Sequence, residues 1–386
     1  MTSIQDLTTP ALIIDKNRLE KNCQRMARYC IENGVELRPH VKTHKCKEIA
    51  EITTNFMKNR KITVSTVAEA EFFAKNGFND ILLAHFVTDI TKAKRLQQLV
   101  AKGVKLHVFV DSLEHLELLE KFSSEKWSVF LELDPGYKRT GADPYQDSTL
   151  KLAEILMRKG FLSGIYVHEG QSYYVHDNES AAKLAMEAGE LAMEFVGKLG
   201  IEKLRKDSLT ISIGSTPSIV ACCNLNLKLP VGIREIHPGS FCLLDGEQYS
   251  LGTCKTDDIA IAIATRIISK YKCKKQLVVD SGFTSLSFDL GNTVGGKNGK
   301  YYQNIIIKDH PELALFRVTQ ELAIIKAKNE EEFPINFDQF QLGQILFIYP
   351  YTCTTVCDKF NEFFVMDSSD GNMMMITDVW KPIHGW

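Results

Sequence analysis

The chain predicts an α/β fold, a (β/α)8 TIM-type barrel followed by a second, mainly β C-terminal domain. From Ala11 to about residue 245, short β-branched or apolar runs alternate with helical stretches at intervals of roughly 20 to 40 residues. No GxGxxG follows an early strand, and the polar signals come after several different strands, which favours a closed barrel over a doubly wound sheet. After residue 250 the pattern changes to strand runs separated by turns, with few helices.

In order, the strand candidates are Ala11 to Ile14, Val35 to Val41, Ile62 to Val67, Ile81 to His85, Leu106 to Val110, Val129 to Leu133, Gly164 to His168, Leu209 to Ile213 and Ile233 to Ile236. Helical periodicity lies between them, in Asn17 to Ile31, Thr91 to Ala101, Leu150 to Arg158 and Ala181 to Leu199. With the first strand outside the repeat, eight remain, the number that closes a parallel barrel. The later strand runs are Ile259 to Ile268, Gln276 to Val279, Gln344 to Ile348 and Phe363 to Met366. The expected division is residues 12–247 for the barrel, and 1–11 with 248–386 for the β domain covering the site.

The 386 residues, 44% hydrophobic and 24% charged, suffice for two cores. A formal net charge of −2 gives no electrostatic footprint for nucleic acid or an anionic membrane, so a small-molecule partner is expected. No segment approaches a membrane span, and Met1 to Asp6 lacks the basic and apolar regions of a secretory signal. A reducing, cytoplasmic setting follows as an expectation. The ten cysteines form no CxxC pair, so neither a zinc ribbon nor a disulfide framework is indicated.

Lys42, in Leu37-Arg38-Pro39-His40-Val41-Lys42-Thr43-His44-Lys45, stands where a βα unit presents groups to a barrel mouth. An amine held there can lose its proton and attack an aldehyde, which makes Lys42 a candidate Schiff-base lysine. The same run also reads as a solvated basic loop. Gly214-Ser215-Thr216-Pro217-Ser218 offers backbone amides and hydroxyls ahead of a proline suited to a helix start, as a phosphate cradle does, and also reads as a plain turn. His237-Pro238-Gly239-Ser240-Phe241 follows the last barrel strand, and a phosphate site late in a barrel predicts both loops together. Arg139, in a glycine-rich loop after a very apolar strand, can pair with a phenolate or carboxylate, or stand simply at the surface. His168, Glu169 and Tyr173 cluster at another strand end, a place that favours function over packing.

Thr9-Pro10-Ala11-Leu12, Arg38 to Lys45, Arg139-Thr140-Gly141, Gly170 to Tyr173 and Gly214 to Ser218, taken together and in order, resemble the D-threonine aldolase and D-serine dehydratase family. These are pyridoxal-phosphate enzymes of the alanine-racemase fold type, and the similarity spans nearly the whole chain. The resemblance implies that Lys42 carries the cofactor as a Schiff base and that Arg139 lies near its phenolate oxygen. It further implies that His168 and Tyr173 line the ring, that Gly214, Ser215, Thr216, Gly239 and Ser240 surround the phosphate, and that the enzyme is a homodimer. In that dimer the β domain of one chain is expected at the barrel mouth of the other.

The chain departs from the family where its metal is held. The family's Asn-His-x-Cys or Asn-His-x-Asp segment corresponds here to Pro350-Tyr351-Thr352-Cys353, with tyrosine at the histidine position. A second signature, Glu-His-Gly, is matched by Glu321-Leu322-Ala323, and only His310 and His384 lie beyond residue 250. Cys353 is the one retained candidate ligand, which makes a divalent metal doubtful. The resemblance therefore implies a lyase acting on a D-configured β-hydroxy amino acid, by retro-aldol cleavage or β-elimination, without zinc. Tyr351 then serves as acid, base or hydroxyl anchor. An amino-acid racemase is the alternative within this chemistry, and a non-catalytic pyridoxal-phosphate binding protein the alternative outside it.

Overall fold

The computed structural model describes residues 2–122, 126–200, 209–296, 299–370 and 375–386. The chain divides into two compact units, one of residues 23–241 with 383–386, the other of residues 1–22 with 242–382. Compared with the expected division at 12 and 248, the first break falls inside the helix Lys16–Asn33 and the second ahead of Cys242.

The first unit is a parallel eight-stranded barrel. Its strands are Glu36–Leu37, Lys61–Val64, Asp80–Leu83, Lys105–Val110, Ser128–Leu133, Leu162–Val167, Thr210–Ile213 and Glu235–Ile236. Glu235–Ile236 pairs with both Thr210–Ile213 and Glu36–Leu37, and a parallel bridge between His40 and Thr63 continues the ring to the next strand. Parallel strands demand crossovers, and helices such as Ile90–Ala101, Asp147–Arg158 and Asn178–Lys198 supply them.

Several strands are shorter than expected, the one before Lys42 most of all. Val35 to Val41 contributes only Glu36–Leu37 as strand, and Val41–Thr43 forms a 3-10 turn. Pro39 is the cause, because it has no N–H for the ladder. The chain is still held in place, since Thr63 N–H donates to the Pro39 carbonyl at 3.0 Å and His40 N–H to that of Pro238 at 3.1 Å.

The barrel core is apolar at its centre, where Leu82, Phe109, Phe130 and Tyr166 pack together. Towards the N-terminal ends of the strands it is ionic. Arg38 Nη1 lies 2.6 Å from Asp80 Oδ1 and Arg38 Nε 2.9 Å from Glu235 Oε1, and Glu235 is fully buried. A buried pair of this kind need not be more stable than an apolar plug, but breaking it strands a charge. Arg38→Met is therefore expected to destabilise the protein by about 3–5 kcal/mol, read as a lower denaturant midpoint. An unchanged midpoint would show that Glu235 finds another partner.

In the second unit the N-terminal strand Ala11–Asp15 runs antiparallel to Ile261–Tyr271 and parallel to Phe363–Met366. Ala11–Asp15 thus lies outside the barrel repeat. Ile261–Tyr271 is eleven residues long and bulges between Ile267 and Ser269. Before the bulge it pairs with Ala11–Asp15 and Ile345–Tyr349, beyond it with Gln276–Val279. Ile4, Leu7, Ile13, Ala264, Ile345 and Met366 share the core on one face.

Candidate active site

Lys42 sits on the 3-10 turn Val41–Thr43, whose Val41 carbonyl accepts from the N–H groups of His44 and Lys45. The half-buried side chain lines a cavity of about 330 Å³ at the C-terminal side of the barrel, together with His40, Glu132, Arg139, Tyr166 and His168. That volume lies in the range of small-molecule sites. Burial, and then the Arg139 guanidinium, hold the Lys42 amine below the ordinary lysine range, while Glu69 opposes them. The barrel thus supplies an amine that loses its proton more readily than one in water.

Arg139 stands on the exposed rim of the cavity, with Nη2 4.0 Å from Glu132 Oε1 and its guanidinium over the Tyr137 ring. Its loop is shaped by Asp134, whose carboxylate accepts from the N–H groups of Gly136 and Lys138. Glu132 is buried and accepts from the Thr140 hydroxyl at 3.0 Å. Burial pushes its carboxyl up to about 7, against the pull of Thr140 and Arg139.

His168 Nδ1 is 3.1 Å from the Gly214 carbonyl, so the proton resides on Nδ1 and Nε2 keeps its lone pair. Burial, then Lys42 and Arg139, lower its pKa to about 3, which makes it a neutral ring near pH 7. Tyr173 lies on the turn Gly170–Tyr174 and does not line the cavity.

The two late loops meet. Thr216 Oγ1 accepts from Gly239 N–H at 3.2 Å, from Ser240 N–H at 3.0 Å and from the Ser240 hydroxyl at 3.0 Å. Three donors converging on one neutral oxygen is the arrangement an anion's oxygen would satisfy better. Gly239 has no room for a side chain, since a Cβ there would lie 2.9 Å from both the His40 carbonyl and Thr43 Oγ1. Ser215 caps the helix Thr216–Asn224, whose positive end adds to the attraction. These residues fit a phosphate, and Lys42 with Arg139 and His168 fits an aldehyde-bearing ring. Buried His40 Nδ1 and Glu132 Oε2 have no hydrogen-bond partner, as in a site shaped for polar contacts with a ligand.

In the second unit, Tyr351 is bound to Glu247 twice. Its carbonyl accepts from Glu247 N–H at 2.7 Å, and its hydroxyl hydrogen-bonds the Glu247 carboxyl. The ring lies against Gly291, at φ +69°, where a Cβ would come within 2.7 Å of it. Burial, then Asp245 and Asp289, raise the Glu247 carboxyl to about 8, and burial, then Glu247, Asp289 and Asp245, push the Tyr351 phenol up as well.

Cys353 is buried, and its N–H donates to Asp245 Oδ2 at 2.8 Å. Burial and Asp245 push its thiol well above the usual range. Leu322 lies half-exposed ahead of Ala323–Ala327, at the second signature. Among the described residues, no group of three or more His, Cys, Asp and Glu side chains is placed to hold a metal. The donor set does not fit the family's metal.

Sequence reasoning passed over Glu132 and Glu247. The first carried a signal, an acid inside Val129-Phe130-Leu131-Glu132-Leu133. Glu247 carried none.

Residues 14–240 match the alanine racemase N-terminal domain, and residues 260–366 match a serine dehydratase domain. The chain belongs to the D-threonine aldolase and D-serine dehydratase family. It is therefore an enzyme, a lyase of the pyridoxal-phosphate type. D-serine dehydratase of Dictyostelium discoideum is 34% identical, over 99% of this chain and 98% of that one. The solved structure of D-threo-3-hydroxyaspartate dehydratase from Delftia sp. HT23 superposes with a TM-score of 0.88 at 26% identity, covering all of both chains. D-threonine aldolase of an Arthrobacter species is 26% identical over 77% of this chain and 78% of that one. Among the described residues, no helix is long and apolar enough to cross a membrane.

Proposed function

We propose that this chain is a cytoplasmic, homodimeric pyridoxal-phosphate lyase that eliminates water from a D-configured β-hydroxy amino acid, with Lys42 holding the cofactor and Tyr351 replacing zinc. The observation that carries this reading is the half-buried Lys42 amine facing Arg139 and His168 across one cavity, beside the donor cluster at Thr216. Four relatives that align over nearly the whole chain are named dehydratases, which supports elimination over aldol cleavage.

When bound, pyridoxal phosphate withdraws the electron pair left at the substrate α-carbon. The residues do the rest. Gly214, Ser215, Thr216, Gly239 and Ser240 bind the phosphate, and Arg139 engages the phenolate oxygen. His168 stays uncharged, so the wall adds no cation. Lys42 Nζ takes the α-proton. The Cβ–O bond then breaks, and the leaving hydroxide takes a proton from Tyr351 Oη to depart as water. Glu247, its carboxyl raised by burial and then by Asp245 and Asp289, restores that proton. A phenol pushed up in pKa is a donor rather than a base, which suits elimination, whereas aldol cleavage needs the β-hydroxyl proton removed.

The test is turnover of a D- and L-amino-acid panel, read by keto acid, aldehyde and chiral analysis, with bound metal measured before and after chelation. Keto acid from D-β-hydroxy substrates after metal removal is the expected result. An aldehyde product would mark an aldolase and an inverted amino acid a racemase. Silence with cofactor bound would mark a carrier, and activity that depends on stoichiometric zinc would remove Tyr351 from its role.

A further inference from the structure

Glu169 is fully buried, and no step above uses it. Its Oε2 accepts from Gly214 N–H at 3.2 Å, and its Oε1 hydrogen-bonds the Ser218 hydroxyl. Ser218 Oγ lies 2.8 Å from Ser215 Oγ, which lies 2.6 Å from Ser172 Oγ. Ser218 Oγ also accepts from Ser215 N–H, and Ser215 Oγ from Ser218 N–H. The carboxyl therefore sits at the inner end of a row of hydroxyls that runs to Ser215, in the loop read above as the phosphate site.

Each hydroxyl has one proton to give, so the row can point only one way at a time. If Glu169 accepts at Oε1, Ser218 gives its proton inward, Ser215 gives its own to Ser218, and Ser215 presents only lone pairs outward. If Glu169 donates from Oε1, the order reverses. Ser218 then donates to Ser215, and the Ser215 proton is released either to Ser172 Oγ, 2.6 Å away, or to an acceptor facing the loop. The two backbone N–H contacts are satisfied in both cases, so they do not choose between them.

The presence of a phosphate chooses. Lone pairs facing phosphate oxygens repel, whereas a hydroxyl donor to an anion is among the stronger hydrogen bonds. We propose that Glu169, acting through Ser218, turns the Ser215 hydroxyl into a donor for the cofactor phosphate and is thereby a positioning residue of that loop. The proposal rests on the reading that Gly214 to Ser218 holds the phosphate. Burial already raises the Glu169 carboxyl to about 7. Its titratable neighbours, Tyr166 on the preceding strand Leu162–Val167 and Cys222 on the helix Thr216–Asn224, are themselves pushed up by burial, so neither is a cation that would force Glu169 to ionise. A phosphate dianion placed nearby would favour the neutral acid further.

Binding of pyridoxal phosphate and of pyridoxal to the full-length chain freed of cofactor tests this, followed by absorbance and protein fluorescence. Glu169→Ala is expected to weaken pyridoxal phosphate by at least about tenfold and to leave pyridoxal within about twofold. Glu169→Gln is expected to keep the wild-type preference, because its amide donates to Ser218 and accepts from Gly214 as the neutral acid does. Ser218→Ala keeps the carboxyl but cuts the row, and should reproduce the selective loss; it carries the test if Glu169→Ala does not fold. Equal weakening of both ligands, no weakening, or a glutamine variant as poor as alanine would overturn the proposal. A wild-type chain with no preference for the phosphorylated ligand would instead overturn the phosphate-loop reading.

Discussion

Lys42→Ala is expected to lower turnover by at least about 10³-fold and to remove the visible absorbance of a Schiff-base cofactor. The size follows from what the barrel does for this one amine. Its turn is fixed by two N–H groups on the Val41 carbonyl, and burial keeps its proton loosely held. No other lysine lines the cavity among the described residues. The Arg139 guanidinium is the second cause of the lowered pKa, so the sign of its removal can be worked out. Without that cation the amine's pKa rises and its neutral fraction at a given pH falls. Arg139→Met should therefore shift the pH midpoint of cofactor capture upward, measured as the rate at which the absorbance band grows. An alanine variant at position 42 that kept the band would overturn the anchor assignment. An Arg139 variant with an unmoved midpoint would show that burial alone sets the amine.

What the sequence disclosed follows from how far each signal travels along the chain. The barrel was legible because each strand is a local apolar run and each crossover a local helical period. The extent of the strand before Lys42 was misread because Pro39 breaks the ladder without breaking the hydrophobic run, and the bonds that hold the segment come from Thr63 and Pro238. Lys42, Arg139 and His168 were legible from position, at the C-terminal ends of strands. The meeting of Gly239 and Ser240 with Thr216 followed from the adjacency of the last strands, but its centre, one threonine oxygen, did not. Glu169 and Glu247 illustrate the limit. A buried acid needs partners, and these are supplied by Ser218 and Tyr351, residues that only closure of the fold brings near.

Tyr351→Phe is expected to lower kcat by about 10²- to 10⁴-fold, the span of a lost general acid, with KM and the cofactor spectrum unchanged. The substitution removes one oxygen and keeps the ring seated on Gly291 and the backbone bond to Glu247, so the fold should be preserved. Glu247→Gln tests the relay behind it. It keeps a hydrogen-bond partner for the phenol but no proton to return, so its loss should be smaller and should appear in kcat alone. Chelation should leave the wild-type rate unchanged, because among the described residues no group of three or more His, Cys, Asp and Glu side chains is placed to hold zinc. The measurements separate two explanations of the histidine losses. If the second unit had merely decayed, the phenylalanine variant would match the wild type. If hydroxide leaves with the Tyr351 proton, removing that proton must slow the chemical step while the cofactor half, built on Lys42 and the Thr216 donors, binds as before.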